Sequence, residues 1–486
     1  MCGILYLHDP HQLLSGREMA DMTFLGLSAM QYRGQHGGGL AYSDGDRVRV
    51  GKWFGLVATQ YDSVGADDRE DPRPYTDQLG KMEKRKPFRV MGHLRYATAG
   101  PAGDLIHFQP HFIEPLGGRV AYLANGDIPL LTGEKERLKR LGVRFESEND
   151  GELTLRKICF LKESRNLSWV EAIHAFMLET KGAYSGILMT RDTTYFIRDE
   201  FGFRPFLVGK IDGEIIVAAS ESSVLNILGA TFDFEVERGS VVEIANDGTM
   251  TRHPYPGSLP ECSAHCVFCL DYFGGPHSRL FVDSRPWNEV PHKSSYAHEF
   301  GRQLAREHPV EADCISSIPQ SGNSAAKGFS AQSGIPNVEI LVRNWSVPRT
   351  FILSLADRLM AIRLKYGVLL DAVRSYPRIV LVDDSIVRAN TTRGTVKLVR
   401  DAGAKEVHVR VSFPPIIHPC FMGIAMPTRE ELAAASRSVS ELREFIGADS
   451  LEFLSPEGVA TAMKSRGDDI KHFCTACYSG NYPVPV

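Results

Sequence analysis

The pattern of apolar and polar positions changes period near residue 253. Before it, short runs rich in β-branched and aromatic residues dominate. Cys2–Leu7, Phe88–His93, Arg119–Leu123, Gly186–Thr190 and Glu214–Ala219 read as strands. Helical stretches such as Trp169–Leu178 interrupt them, which is an α+β pattern. Beyond it, strand and helix alternate. Arg378–Val382 (RIVLV) is a short apolar strand, followed by a polar loop, a helical stretch to Gly403 and a strand at Glu406–Ser412. A strand, crossover helix and strand in that order form a unit of a parallel sheet. Tyr296, Phe300 and Leu304 recur at i, i+4 and i+8 after Ser294-Ser295, marking an amphipathic helix. Thr428…Glu431 and Ser438…Glu441 have capping-box spacing, so each predicts a helix start. The charged stretch Ala66–Lys86 reads as a solvated loop. Three prolines and a glycine in His253–Pro260 exclude regular structure, so the expected domains are residues 2–252 and 253–486.

Composition changes this picture little. A length of 486 residues fits two to three domains at roughly 150 residues each. The 55 Lys+Arg against 59 Asp+Glu leave a net charge of −4, which excludes broad electrostatic attraction to nucleic acid. No apolar run approaches the ~18 residues of a membrane helix, and MCGILYLHDP lacks a signal-peptide core. The expectation is a cytoplasmic enzyme without nucleic-acid or membrane partners. Nine cysteines are too few for a disulfide scaffold. Cys262, Cys266 and Cys269 form C-x3-C-x2-C, and Cys474 and Cys477 form C-x2-C, which suggests metal or iron–sulfur ligation before disulfides.

Cys2 directly follows Met1. Removal of that methionine would leave a thiol and an α-amine on one residue. An α-amine, with a pKa near 8, can serve as the base for its own nucleophile. Around it stand YRGQHGGG (Tyr32–Gly39), GHLRYATAG (Gly92–Gly100), ANGD (Ala124–Asp127), GAYS (Gly182–Ser185) and RDEFGFRP (Arg198–Pro205). In this order and spacing they resemble class II, N-terminal-nucleophile glutamine amidotransferases. The resemblance implies a four-layer αββα domain in which Cys2 attacks the glutamine amide. It further implies that Arg95 pairs with the substrate carboxylate, Asp150 takes its ammonium, and Asn125 with the Gly126 N–H forms the oxyanion hole. One departure is Ala124-Asn125-Gly126-Asp127 where the family has His-Asn-Gly-Asn.

In the second half, the strand RIVLV runs into Asp383-Asp384-Ser385-Ile386-Val387-Arg388-Ala389-Asn390-Thr391-Thr392. Two carboxylates at a strand's carboxyl end can hold ribose hydroxyls and a hard cation such as Mg²⁺. The hydroxyl- and amide-rich residues after them enter a helix N-terminus, a ready phosphate site. The segment resembles the phosphoribosyl-diphosphate (PRPP) loop of type I phosphoribosyltransferases. IPQSGNSAAKGF (Ile318–Phe329), PRTFI (Pro348–Ile352), PPIIHPCFMGI and FCTACYSGNYP add to it. Together the two halves resemble the glutamine PRPP amidotransferase family over nearly the whole chain. The implied architecture is the αββα domain followed by an α/β phosphoribosyltransferase domain with a parallel sheet.

That resemblance implies PRPP contacts at Asp383, Asp384, Ser385, Arg388, Ala389, Asn390, Thr391, Thr392 and Arg349. It implies Mg²⁺ at Ser321, Asp383 and Asp384. A [4Fe–4S] cluster would be held by Cys266, Cys420, Cys474 and Cys477. A structural Zn²⁺ on the same thiolates is a chemical alternative; the radical-SAM spacing at Cys262–Cys269 lacks a following (β/α) barrel pattern. Cys159 and Cys314 read as core thiols. Glutamine and PRPP are the implied substrates, purine nucleotides the implied feedback inhibitors, and a homo-oligomer, tetramer or dimer, the implied assembly.

The PRPP side departs from the family more than the glutamine side. Ala389 stands for a glycine, Asn390 for a threonine, Gln320 for an aspartate, and Gly275-Pro276-His277 for Arg-Pro-Asp. A Cβ where glycine supplies positive φ costs about 1 kcal/mol or more. Two other readings therefore stay open here: a paralogue aminating another phosphoribosyl-type acceptor, and a non-catalytic PRPP- or nucleotide-sensing protein.

Overall fold

The fold is that of a computed structural model describing residues 2–60, 78–96, 103–115, 118–129, 131–283, 285–344, 362–426 and 428–486. Two antiparallel sheets stack in the first half. One has seven strands: β1 (Gly3–His8), β2 (Gly37–Ser43), β3 (Val48–Phe54), β4 (Arg89–Arg95), β9 (Leu207–Ile211), β10 (Ile215–Ala219) and β11 (Thr231–Glu235), in the order β11-β9-β10-β1-β4-β2-β3. The other has six: β5 (His111–Ile113), β6 (Val120–Asp127), β7 (Ala183–Met189), β8 (Thr193–Arg198), β12 (Val241–Ala245) and β13 (Met250–His253), in the order β13-β12-β8-β7-β6-β5.

Strand alternation decides what each layer buries. On β1, Leu5 and Leu7 face the helix Gly16–Ala29, in a core with Leu27 and Met30. Ile4 and Tyr6 point the other way, meeting Leu123, Ile187 and Phe196 of the second sheet. The outer face of that sheet is covered by the helices Asp150–Ser164 and Trp169–Glu179, through Leu155, Ile158, Ile173 and Phe176. Helix, sheet, sheet and helix make the expected αββα stack.

The second half holds β14 (His265–Cys266), β15 (Cys314–Ser317), β16 (Leu341–Arg343), β17 (Tyr366–Val368), β18 (Arg378–Asp383), β19 (Glu406–Val411), β20 (Ser450–Phe453) and β21 (Phe473–Cys474). Its main sheet is parallel, in the order β15-β18-β19-β20. Both faces are covered, Val380 and Val382 on one side and Ile379 and Leu381 on the other, which is why RIVLV is unbroken by polar residues.

Expected strands appear at β1, β4, β6, β7, β10, β18 and β19, and the amphipathic helix spans Lys293–Glu307. Ser438 and Glu441 form a reciprocal capping box for the helix Val439–Ile446. Two expectations need correction. Thr428…Glu431 starts no helix; residues 428–435 form turns, and Glu431 instead pairs with Arg388. Within the stretch read as solvated loop, Gln78–Glu83 is a helix, because Leu79 and Met82 bury against the first sheet's core; its residues 66–77 lie outside the described residues.

Candidate active sites and their junction

The first site lies where β1, β4 and β6 end together. Cys2 precedes β1 and is nearly buried, its Sγ 3.8 Å from the Tyr96 carbonyl oxygen. Arg95 ends β4 with its guanidinium over the Phe108 ring at 4.7 Å. Burial lowers its pKa, while Cys2, Asp150 and Asp104 oppose that by charge, which puts these groups within electrostatic reach. Asn125 on β6 is fully buried, yet neither Oδ1 nor Nδ2 has a partner among the described residues. Such an amide costs free energy unless something arrives to bond it. Next to it Gly126 has φ +156°, and a Cβ there would lie 1.8 Å from the Ala183 carbonyl oxygen, so only glycine fits. Asp150 opens the helix Asp150–Ser164, where burial, Asp127 and Cys2 raise its carboxyl well above the usual range. Asp127 is itself pushed up to about 6 by burial. Cys2, Arg95 and Asp150 are thus within electrostatic reach of one another, and Asn125 and Gly126 stand near the end of β6.

The second site is at the carboxyl end of the parallel sheet, the usual ligand edge of such sheets. Asp383 ends β18 and accepts from Thr392 Oγ1 at 3.1 Å; burial and then the neighbouring Asp384 raise its pKa far above normal. Asp384 is buried, its Oδ2 without a partner among the described residues. Ser385 to Ala389 form the turn into the helix Asn390–Asp401, whose first residues are Asn390, Thr391 and Thr392. Ala389 adopts φ +60°, the conformation a glycine would supply. Ser321 stands in the turn after β15. A Cβ on the adjoining Gly322 would come within 2.4 Å of the Val382 carbonyl oxygen, so this turn lies against the end of β18. Arg388 is exposed and paired with Glu431. Arg349 lies outside the described residues.

The cysteines separate into two groups. Cys159 and Cys314 are buried core thiols, as read. Cys266 and Cys474 are register partners on the parallel pair β14–β21. Cys477 follows on the next turn and its carbonyl accepts from His418 N at 3.1 Å, two residues before Cys420. Burial and neighbouring thiols push Cys474 up to about 12, whereas a hydrogen bond from Cys269, with Arg204 beside it, holds Cys266 down at about 5. Among the described residues no three or more His, Cys, Asp or Glu side chains stand in a metal-holding group, at these thiols or at the acidic pair. The donor chemistry nonetheless suits both: two thiols on the β14–β21 pair with Cys420 and Cys477 beyond it, and two buried carboxylates at a strand end.

Sequence reasoning missed what joins the sites. Arg33, inside YRGQHGGG, donates from Nε to the Cys2 carbonyl at 2.9 Å and from Nη1 to Glu221. Both side chains are fully buried. Glu221 also accepts from the Tyr32 hydroxyl, Ser278 Oγ at 2.7 Å and Gly275 N at 2.9 Å. The cysteine-rich side is tied in as well. Arg204 reaches Cys269 Sγ at 3.3 Å and the Met422 carbonyl, and a Cβ on Gly423 would lie 2.7 Å from the Gly126 carbonyl carbon. Met422 and Gly423 therefore lie against Arg204 and the end of β6. The only signal for these roles was buried charge inside recognised motifs.

These features define a class II glutamine amidotransferase fused to a type I phosphoribosyltransferase fold. A family model of the glutamine amidotransferase domain matches residues 107–226. The amidophosphoribosyltransferases of Rattus norvegicus and Synechococcus elongatus are each 35% identical, over 95% and 100% of this chain and 93% and 92% of their own lengths. A solved glutamine PRPP amidotransferase from B. subtilis, complexed with ADP and GMP, superposes with a TM-score of 0.84 at 34% identity, covering 99% of this chain and 97% of that one. The chain belongs to the amidophosphoribosyltransferase family.

Proposed function

We propose that this chain hydrolyses glutamine at Cys2 and transfers the ammonia to PRPP, giving 5-phosphoribosylamine, glutamate and pyrophosphate, the first step of purine synthesis. The observation that supports this reading most is that one chain carries a buried Asn125 amide and, at an acidic strand end, an Asp384 oxygen, both without partners among the described residues. Once Met1 is removed, the Cys2 amine takes the thiol proton and the sulfur attacks the side-chain amide carbon. Asn125 Nδ2 and the Gly126 N–H stabilise the developing oxyanion, a contribution of about 3–4 kcal/mol per donor. Arg95 and Asp150 hold the substrate's α-carboxylate and ammonium. Ammonia leaves, and water releases glutamate from the thioester.

At the second site ammonia bonds to ribose C1 as the bond from C1 to the pyrophosphate oxygen breaks. Asp383 and Asp384 orient the ribose, and Ser385 to Thr392, with Arg388, receive its phosphate at the helix N-terminus. Arg349 would contact PRPP from its own loop. Ser321, Asp383 and Asp384 would hold Mg²⁺, which when bound neutralises pyrophosphate charge. Cys266, Cys420, Cys474 and Cys477 would hold a [4Fe–4S] cluster, which would tie the turn at Cys420 to the β14–β21 pair. The proposed domains are residues 2–252 and 253–486, in a cytoplasmic homo-oligomer under purine-nucleotide control; ADP and GMP occupy the B. subtilis relative.

The test is release of glutamate and pyrophosphate by anaerobically purified protein given glutamine and Mg²⁺, with and without PRPP. Equal, PRPP-dependent release of both is expected. Glutamate without pyrophosphate would overturn the transferase half of the reading.

A further inference from the structure

The segment Cys269–Phe273, wound as a π-helix, spans the space between the two sites. Helices of this pitch are uncommon and concentrate at functional positions. At one end the Phe273 ring packs edge-on to Tyr96 at 6.0 Å, and Tyr96 is the residue whose carbonyl the Cys2 thiol approaches. Two residues earlier, Asp271 is fully buried, and neither of its carboxylate oxygens has a hydrogen-bond partner among the described residues. Its charged neighbours are Asp384 of the PRPP loop and Lys293, at the start of the helix Lys293–Glu307; Lys293 in turn senses Glu221 of the Arg33 network. Buried with neither oxygen bonded, this carboxyl group gains from any donor that reaches it.

A buried carboxylate without partners is costly, and a folded chain keeps one only where something else offsets it. Three orphaned acceptors sit at this junction: both oxygens of Asp271 and Oδ2 of Asp384. A divalent cation would be held by Asp383 and Asp384, and Lys293 stands within electrostatic reach of Asp271 without a hydrogen bond to it. The visitor that suits the remaining acceptors is small and rich in N–H donors, and must travel from Cys2 toward Asp384. We propose that Asp271 is an amine-positioning residue that binds ammonia as it enters the phosphoribosyl site. In accepting N–H bonds it turns the nitrogen lone pair toward C1. The inference rests on the transferase reading above and deepens it by assigning the nucleophile's own subsite.

The test supplies ammonium chloride as nitrogen donor, bypassing Cys2, and measures pyrophosphate release from PRPP with Mg²⁺. Wild type, Asp271→Asn and Asp271→Leu are compared. The expected result is a KM for ammonia raised tenfold or more in the leucine variant and less in the asparagine variant, which keeps one acceptor. The KM for PRPP should stay within about twofold, since 0.4 kcal/mol is about that factor. With glutamine as donor, the leucine variant should release more glutamate than pyrophosphate. An unchanged KM for ammonia, or an equal rise in the KM for PRPP, overturns the assignment. Should the leucine variant fail to fold, the near-isosteric asparagine variant carries the same test. Wild type that releases no pyrophosphate with ammonia would instead overturn the transferase reading itself.

Discussion

Replacing Glu221 by alanine is the sharpest probe of how the two halves hold each other. Its carboxylate and the Arg33 guanidinium are both fully buried. Removing it strands a guanidinium in the interior together with the donors at Tyr32, Ser278 and Gly275. Breaking one side of a buried pair costs about 3–5 kcal/mol, against a total stability of about 5–15 kcal/mol for a folded protein. An Arg33→Met change in the same background removes the stranded charge. The double variant should therefore be more stable than the sum of the singles by about 2–3 kcal/mol. Urea unfolding of the four proteins gives the coupling energy. Because Arg33 Nε also bonds the Cys2 carbonyl, glutaminase turnover should fall in both single variants and its stimulation by PRPP should weaken. A loss below about 1 kcal/mol for Glu221→Ala, or strict additivity in the cycle, would refute the picture of a dry, mutually dependent pair.

Further outcomes follow from single groups. Asn125→Ala should lower kcat for glutamine hydrolysis by roughly 10²–10³ with little change in KM, because the lost donor acts on the oxyanion; a loss under about tenfold in steady-state assays would remove Asn125 from the oxyanion hole. Ala389→Gly relieves about 1–2 kcal/mol of left-handed strain, but loses a buried methyl worth about 0.8 kcal/mol and gains unfolded-state freedom worth about 0.4–1 kcal/mol. Its unfolding free energy should thus stay within about 1 kcal/mol of wild type, and a gain above about 2 kcal/mol in urea titration would contradict the balance. Burial holds His8 at about 4 and His93 and His111 at about 3, with Arg89, Arg95 and Lys52 respectively adding to it. Their folded pKa values lie below the unfolded value near 6.5, so their stability contribution is complete above pH 6.5 and lost as pH falls toward 3–4. At pH 5 each has lost about 2 kcal/mol; because the raised carboxyls of Asp127, Asp150 and Asp383 shift stability the opposite way over the same range, the readout is an NMR titration of the three rings, and a ring that charges above about pH 5.5 would refute its neutral burial.

Legibility in the chain depended on whether a signal was local. RIVLV followed by two aspartates announces a buried parallel strand with a ligand edge, because both facts reside in seven consecutive residues. Asn125-Gly126 gained meaning only from its neighbours in order, and the φ of Gly126 with its 1.8 Å clearance to Ala183 explains why that glycine cannot vary. The Arg33–Glu221 pair is 188 residues apart in sequence, so no spacing rule could find it. Thr428…Glu431 had the right cap residues, but Leu432 and Ala433 reach the core from turns, and Glu431 pairs with Arg388. Gln78–Glu83 was hidden by a charged surrounding stretch, although Leu79 and Met82 have the spacing to reach the core.

Of the departures at the PRPP loop, Ala389 is the one whose consequence the backbone decides. At φ +60° it keeps the shape that a glycine would give, and its methyl is buried in the core beneath the loop. The loop is therefore strained but not re-aimed, and the backbone amides of Asn390 to Thr392 still open the helix. What differs at this edge is side-chain chemistry rather than path. Asn390 brings an amide in place of a hydroxyl, and Asp271 places a third carboxylate beside the acidic pair. On the proposed assignment of this edge to PRPP, changes of that kind would alter what is held next to ribose C1 while leaving the helix N-terminus in place, so selectivity for the nitrogen donor is the property most exposed to them.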